Sequence, residues 1–446
     1  MSYAKQPDTR LRRVLSLRDL VVYGIVLISP LAPVGVFGVA AKMARGHVMT
    51  AILLGMIAMI LTASSYGRMA GVYPAAGSAY AYVSRGLNPY LGFLAGWAMF
   101  LDYLIIPILN VTYVALTAHR LLPEIPFSIC AFAVAALITA LNLRSVRMTA
   151  RVNEILLACM FVIVAMFVVL SIRFLLQSGG LLSIQPLYDA RTFNIRDLGT
   201  ATSLVALTYI GFDGVTTLAE ETIDAKRTVP LATVLVCLLT GLLSTLETYL
   251  AQRVWPDYNS FTNPETAFLD VSRRVGGTFL FNAMGIVLVI ASFGSGLGGQ
   301  AGAARLLYGM GRDSVLPQRI FGRLARRTDT PFWNVLFLGV LAFAGSMLLP
   351  WEQSAEMLNF GAFLSFMGVN LAVLRLFYGS RAKLSIGALV PFGGFVFCLI
   401  IFLSLPVPAK IMGGTWLLAG LIYLVLFTHN FRKGLSALPF EETSHE

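Results

Sequence analysis

Tyr209-Ile210-Gly211-Phe212-Asp213-Gly214-Val215 lies in the middle of a long apolar segment, roughly Leu198 to Leu218. Two glycines bracket an ionisable acid there. Glycine in a helix interior costs about 1 kcal/mol relative to alanine. A carboxylate at the centre of a spanning helix costs roughly 2.5–3.5 kcal/mol even on a lenient insertion scale. Both penalties at one point predict a helix that breaks and puts the break to use. The stretch reads as half of a substrate site.

The surroundings fit that reading. Of 446 residues, 57% are hydrophobic and 12% charged, with mean hydropathy +0.77, against about 25% charged in an average soluble chain. This is the composition of a polytopic membrane protein. The net charge of +11 sits in short loops between apolar spans, so it reads as topology and not as a nucleic-acid surface. Cys130, Cys159, Cys237 and Cys398 lack metal or redox spacing and read as packing residues, and the four histidines form no ligand cluster. No cofactor or metal is expected. Residues 1–19 are polar and basic and lead into a full-length span with no cleavage site, so no removable signal is expected.

Twelve apolar segments are long enough to be spans: 20–41, 48–67, 90–118, 126–142, 154–176, 198–219, 230–252, 279–305, 332–349, 355–376, 386–405 and 411–430. Among the connections, 68–89 reads as a mixed connector and 177–197 as a Gly/Pro-bearing loop. Residues 253–278 read as a long loop with a surface helix near Phe268-Leu269-Asp270-Val271. Residues 306–331 carry a basic run. With the N-terminus inside, the inner segments hold 23 of the 33 Lys and Arg. That asymmetry predicts a multi-pass protein of the cytoplasmic membrane with both termini cytoplasmic.

A second span is interrupted: Leu27-Ile28-Ser29-Pro30-Leu31-Ala32-Pro33-Val34-Gly35-Val36-Phe37-Gly38. Its prolines remove backbone donors and clash with the preceding turn. The two breaks head successive five-helix sets, and paired interruptions of this kind point to the central site of an inverted-repeat transporter. The alternative is a pair of ordinary kinks, which membrane helices tolerate.

At such breaks free N–H groups suit anions and free carbonyls suit cations. Asp213 adds a negative charge whose natural partner is an ammonium group. Tyr209, Phe212 and Phe37 offer an apolar or cation–π wall, or plain packing. Asp102, mid-span, either lines the same cavity, relays a proton, or hydrogen-bonds to a neighbouring helix. Glu247, near an outer end beside Gln252 and Arg253, reads as solvated or ion-paired. Ser292 and Ser295 share a helix face; they serve close packing among the glycines of 291–299, or a sodium site together with carbonyls of the first break.

Four motifs then carry a resemblance. They are Tyr73-Pro74-Ala75-Ala76-Gly77-Ser78-Ala79-Tyr80-Ala81-Tyr82, the stretch Asn142 to Asn153, Gly211-Phe212-Asp213 with Glu220-Glu221 and Lys226-Arg227-Thr228-Val229-Pro230, and Ala304-Arg305 through Pro317. In this order the chain resembles the amino acid–polyamine–organocation permeases over nearly its whole length, and 211–218 looks most like putrescine-importer-like members. The resemblance implies an all-α fold of 12 transmembrane helices, a 5+5 inverted repeat of leucine-transporter type with two accessory helices, and discontinuous helices 1 and 6. It divides the chain into a tail at 1–19, a transporter core at 20–376 (repeats about 20–176 and 198–376), accessory helices at 377–430 and a tail at 431–446. It also implies alternating access around substrate-binding residues Ser29, Pro30, Ala32, Gly35, Tyr209, Gly211, Phe212, Asp213 and Gly214. Amino-acid carriers of the family have a Gly-Ser-Gly-like first break whose N–H groups hold a carboxylate. Here Pro30 and Pro33 have no N–H to offer. That favours an amine, a polyamine or a cationic amino acid over a neutral amino acid, unless the break shifts towards Gly35 and Gly38 and keeps a carboxylate nest.

A membrane enzyme would need a nucleophile, an acid–base pair or metal ligands near one interface, and none stands out. A channel would show repeated polar rings. A sensor would need a soluble module, for which 431–446 is too short. No phosphate-binding loop is present for a nucleotide-driven pump. The coupling ion, proton or sodium, stays open, as do simple exchange and the oligomeric state. Membrane lipid is the expected surrounding.

Overall fold

A computed structural model describes residues 13–73, 78–144, 150–178, 180–312, 317–325, 330–378 and 386–428. The first helix is fixed at its start by a reciprocal cap. Ser16 Oγ accepts from Asp19 N, and the Asp19 carboxylate accepts from Ser16 N at 2.9 Å. The chain then runs as α1 (Leu17–Ile28), α2 (Ala32–Met43), α3 (Val48–Val72), α4 (Ser78–Gly86), α5 (Pro89–Leu121), α6 (Phe127–Leu143), α7 (Ala150–Gln177) and α8 (Ile195–Val205). Two 3-10 helices follow, Ala206–Tyr209 and Phe212–Glu221. After them come α9 (Ala225–Val254), a 3-10 turn (Pro264–Thr266), α10 (Ala267–Arg312), α11 (Gln318–Phe321), α12 (Phe332–Leu348), α13 (Trp351–Tyr378), α14 (Leu389–Ser404, after a short 3-10 turn) and α15 (Val407–Phe427). Among the described residues the only strand-like pairing is an isolated bridge between Leu15 and Thr222.

Over its described residues, each of the twelve apolar segments is mostly helical. Among the described residues, eight helical stretches are long and apolar enough to cross a membrane. The pair α1 and α2, bent by 46°, makes a ninth. Phe127–Leu143, Phe332–Leu348 and Leu389–Ser404 are shorter apolar helices. The chain is therefore a multi-pass, all-helical membrane protein.

Two connections differ from expectation. Residues 68–89 are largely helical: α3 runs on to Val72, and α4 packs against α5 and α13. Residues 74–77 of the tyrosine motif lie outside the described residues, as do 145–149 and 313–316 of the other motifs. The helix at Phe268–Val271 is not on the surface. It begins α10, and Phe268, Leu269 and Val271 are buried, so their apolar pattern serves a core. Gly277, at φ 63, then turns the chain into the rest of α10.

The core is helix on helix. α3 lies along α9, with Thr233 Oγ1 donating to Ala63 O at 3.2 Å, and α5 lies against α10 and α13. Asn142 and Gln300 form a buried polar chain within it. Asn142 Nδ2 donates to Gln300 Oε1 at 2.7 Å, and Gln300 Nε2 donates to Thr139 Oγ1 at 3.0 Å. At the α5–α15 contact, Trp97 and Trp416 stack at 4.9 Å, and each indole N–H donates to the other's backbone carbonyl at 2.9 Å.

Candidate functional site

The first break is confined to Ser29–Leu31. Ser29 takes a positive φ of 72°, rare for a residue with a Cβ. Its hydroxyl accepts from Leu31 N at 3.2 Å and its carbonyl from Ala32 N at 3.1 Å. Ser29 N donates to Ile25 O at 3.0 Å and Val34 N to Leu31 O at 3.1 Å. Pro30 and Pro33 have no N–H. From 29 to 34, every N–H the sequence supplies is thus already used within the chain. Pro33 sits in the first turn of α2, where a missing donor costs nothing. Gly35 and Gly38 lie inside α2, beyond the break.

The second break follows Tyr209. Gly211 takes φ 120, open to glycine alone at low cost, and the chain continues as a ten-residue 3-10 helix, Phe212–Glu221. Runs of 3-10 beyond 3–4 residues are uncommon and often mark hinges. The second break meets the last turn of α1: a Cβ on Gly211 would stand 3.3 Å from the carbonyl carbon and oxygen of Leu27.

Around this junction lies a cavity of about 820 Å³. The expected residues Ser29, Ala32, Gly35, Gly211, Asp213 and Gly214 line it, as do Asp102, Ser292 and Ser295. Pro30, Tyr209 and Phe212 do not. The Tyr209 hydroxyl donates to Ile52 O at 2.9 Å, in the core. Phe212 packs against Tyr66 and Phe366, at 5.4 and 5.2 Å between ring centroids. Phe37 packs edge-on against Phe261 and Phe268, at 5.8 and 5.5 Å. These three aromatics therefore turn away from the cavity, whose aromatic lining comes instead from Tyr23, Tyr103, Tyr113 and Trp351. Of these, Tyr113 had a signal in the sequence. Asp102, Ile106, Leu109 and Tyr113 recur at helical spacing on α5, and all four line the cavity.

Asp213 lies in the first turn of the 3-10 helix, where its backbone carbonyl accepts from Thr216 Oγ1 at 2.6 Å. Asp102 is 5% exposed, and its Oδ1 has no hydrogen-bond donor. At that oxygen Asp102 makes no hydrogen bond to a neighbouring helix. Ser295 Oγ accepts from Asn110 Nδ2 at 3.3 Å. Among the described residues no group of three His, Cys, Asp or Glu is placed to hold a metal ion. Glu247 is neither solvated nor ion-paired: it is 1% exposed, and neither oxygen has a partner. The face of α9 that carries it turns into the bundle.

Asn142, Arg305, Thr330, Pro331, Gly35, Tyr113 and Trp351 also line the cavity. Beyond Gly35, α2 is pressed against the start of α10. A Cβ on Gly38 would run into the Pro264 carbonyl oxygen and lie 2.5 Å from Ala267 Cβ. Phe37, Phe261 and Phe268 close over that contact.

Comparison with known proteins identifies the family. A family model described as amino acid permease matches residues 20–428. The chain is 31% identical to the low-affinity putrescine importer PlaP of Escherichia coli, over 97% of this chain and 98% of that one. It is 24% identical to the branched-chain amino acid permease BcaP of Lactococcus lactis, over 96% and 97% of the two chains. It is 23% identical to the methylthioribose transporter of Bacillus subtilis, over 95% of each.

Proposed function

This chain belongs to the amino acid permease family, and from that premise we propose that it moves small amines, polyamines or cationic amino acids across the cytoplasmic membrane by alternating access. It is a secondary transporter of amines or amino acids; the preference for a cation is our reading. One observation carries it. At the first break every N–H is either missing or already used, while two carboxylates, Asp213 and Asp102, line the same cavity. A substrate carboxylate has no donors waiting there, and an ammonium group has acceptors. The putrescine importer among the relatives supports the same chemistry.

In this reading the chain spans the membrane twelve times, with a core at 20–376 built of repeats about 20–176 and 198–376, accessory helices at 377–430, and both termini cytoplasmic. The three short apolar helices complete the count. Ser29, Ala32, Gly35, Gly211, Asp213 and Gly214 form the substrate site. Pro30 shapes it by withholding a donor, and Tyr209 and Phe212 support it from behind. Asp102 supplies a second acid. Ser292 and Ser295 are the place for a sodium ion if sodium drives uptake.

The test is uptake into proteoliposomes of labelled putrescine, lysine, leucine and agmatine, with proton and sodium gradients imposed separately, beside Asp213→Asn. Amine uptake lost in Asp213→Asn is expected. Wild-type amine rates in that variant would sink the assignment of Asp213, and uptake of leucine alone would overturn the amine preference.

A further inference from the structure

Among the described residues, Glu247 is the acid whose two oxygens are both buried and both without a hydrogen-bond partner. It does not line the substrate cavity. Its place on α9 follows from the neighbours of that helix. Val236 faces α1: a Cβ on Gly24 would lie 2.5 Å from its Cγ2. Gly241 faces α3 through Met56. Glu247 follows Val236 by eleven residues, about three turns, and so returns to the same stripe. α9 packs on α1 and also on α2, so Glu247 sits on the side of α9 turned to the bent first span.

Among the described residues no charge answers it there. On α1, Asp19 is held by Ser16, and Arg18 and Tyr23 are exposed. On α2, Lys42 is exposed. On α3, Arg68 donates to Tyr378. On α7, Arg173 is exposed. On α10, Asp270 pairs with Arg120, Arg273 covers Phe281, and Arg274 lies over Phe174 and Trp255. Asp213, on the 3-10 segment packed against α9, belongs to the cavity. On α9 itself, Arg253 donates to Gly180 O. An ionised carboxylate deprived of water, donors and cations is not tolerated in such a place, whereas a neutral acid is.

We propose that Glu247 is a proton-binding site, separate from the substrate cavity, that ties proton movement to the packing of the first broken span on α9. With the elements packed as here, the side chain is a carboxylic acid. When α2 and α9 part and water reaches it, the O–H bond gives its proton to water and the carboxylate remains, to be reprotonated before the elements close again. The proposal rests on the transporter reading and is independent of the amine preference.

The test uses the full chain in liposomes and takes the proton itself as the first probe. Infrared difference spectra in H2O and D2O should show the carbonyl stretch of a neutral carboxylic acid at neutral pH, lost in Glu247→Gln and kept in Glu247→Asp. In parallel, putrescine counterflow at equal concentrations is compared with uphill putrescine accumulation driven by a proton gradient. Glu247→Gln should keep counterflow within about twofold and lose at least about tenfold in accumulation, the loss of one favourable coupling of ordinary size. A band unchanged in Glu247→Gln, or accumulation at the wild-type level, overturns the proposal. Should Glu247→Gln lose counterflow as well, Glu247→Asp decides: accumulation retained supports the proposal, and accumulation lost with the band intact overturns it. Should the wild type carry no putrescine, the amine reading fails and the infrared result alone judges Glu247.

Discussion

The two broken spans meet at Gly211 and Leu27, where the space for a Cβ on the glycine lies 3.3 Å from the leucine carbonyl. This close approach of the second interruption to the last turn before the first makes them one junction, so a change in one span is felt in the other. Gly211→Ala adds a methyl at that contact and forces an L-residue into φ 120. A left-handed conformation alone costs roughly 1–2 kcal/mol. The variant should therefore lower the thermal midpoint in detergent and lose most transport, whereas Gly414→Ala, where a Cβ meets open space, should do neither.

Asp102 has a buried oxygen without a donor, so it contributes no hydrogen bond there that a variant could lose. Asp102→Asn should keep the thermal midpoint or raise it. If the acid serves the substrate, the variant raises KM for amines about tenfold, worth about 1.4 kcal/mol. A drop in thermal stability with KM unchanged would assign Asp102 a structural role.

Phe37, two residues past Gly35 on α2, is fully buried and packs against Phe261 and Phe268. Phe37→Ala should cost about 3–5 kcal/mol as a core truncation and should loosen that closure. The check is labelling of Ala32→Cys by a membrane-impermeant thiol reagent from the side facing Phe261. Labelling should quicken in the Phe37→Ala background.

Trp416→Phe removes one of the two indole donors that tie α15 to α5 and keeps an aromatic ring in the stack. A loss of about 0.5–1.5 kcal/mol is expected, the net worth of one such bond. Transport should persist, because neither tryptophan reaches the cavity.

Much of this was legible in the sequence because its signals were expensive ones. The acid and glycines at 211–214 and the prolines at 30 and 33 run against helix propensity inside apolar segments, and both places are broken. The aromatic lining was harder to read. Phe212 adjoins Asp213 in sequence, but the turn at Gly211 rotates it onto Tyr66, while Tyr113, about three turns from Asp102, returns to the same face. Glu247 misled through its neighbours. Gln252 and Arg253 suggest an outer surface, yet the stripe of α9 that bears Glu247 faces the first span. Nothing in a single chain reports which helix covers which stripe. The short helix at Phe268 was misplaced for the same reason: its apolar residues suit a membrane surface as well as the core they fill.

The segment from Phe212 to Glu221 is ten residues of 3-10 helix. At about 2.0 Å per residue it reaches about 20 Å, where an α-helix of the same residues would reach about 15 Å. Its far end is tied to the segment just before α1, because Val14 N and Leu15 N both donate to Glu221 O and Ile223 N donates to Leu15 O. Rewinding this stretch to α would shorten it by roughly 5 Å and draw on the strand-like tether in front of α1. The extended winding is thus a reserve of length, held between the acid at one end and the root of the first helix at the other.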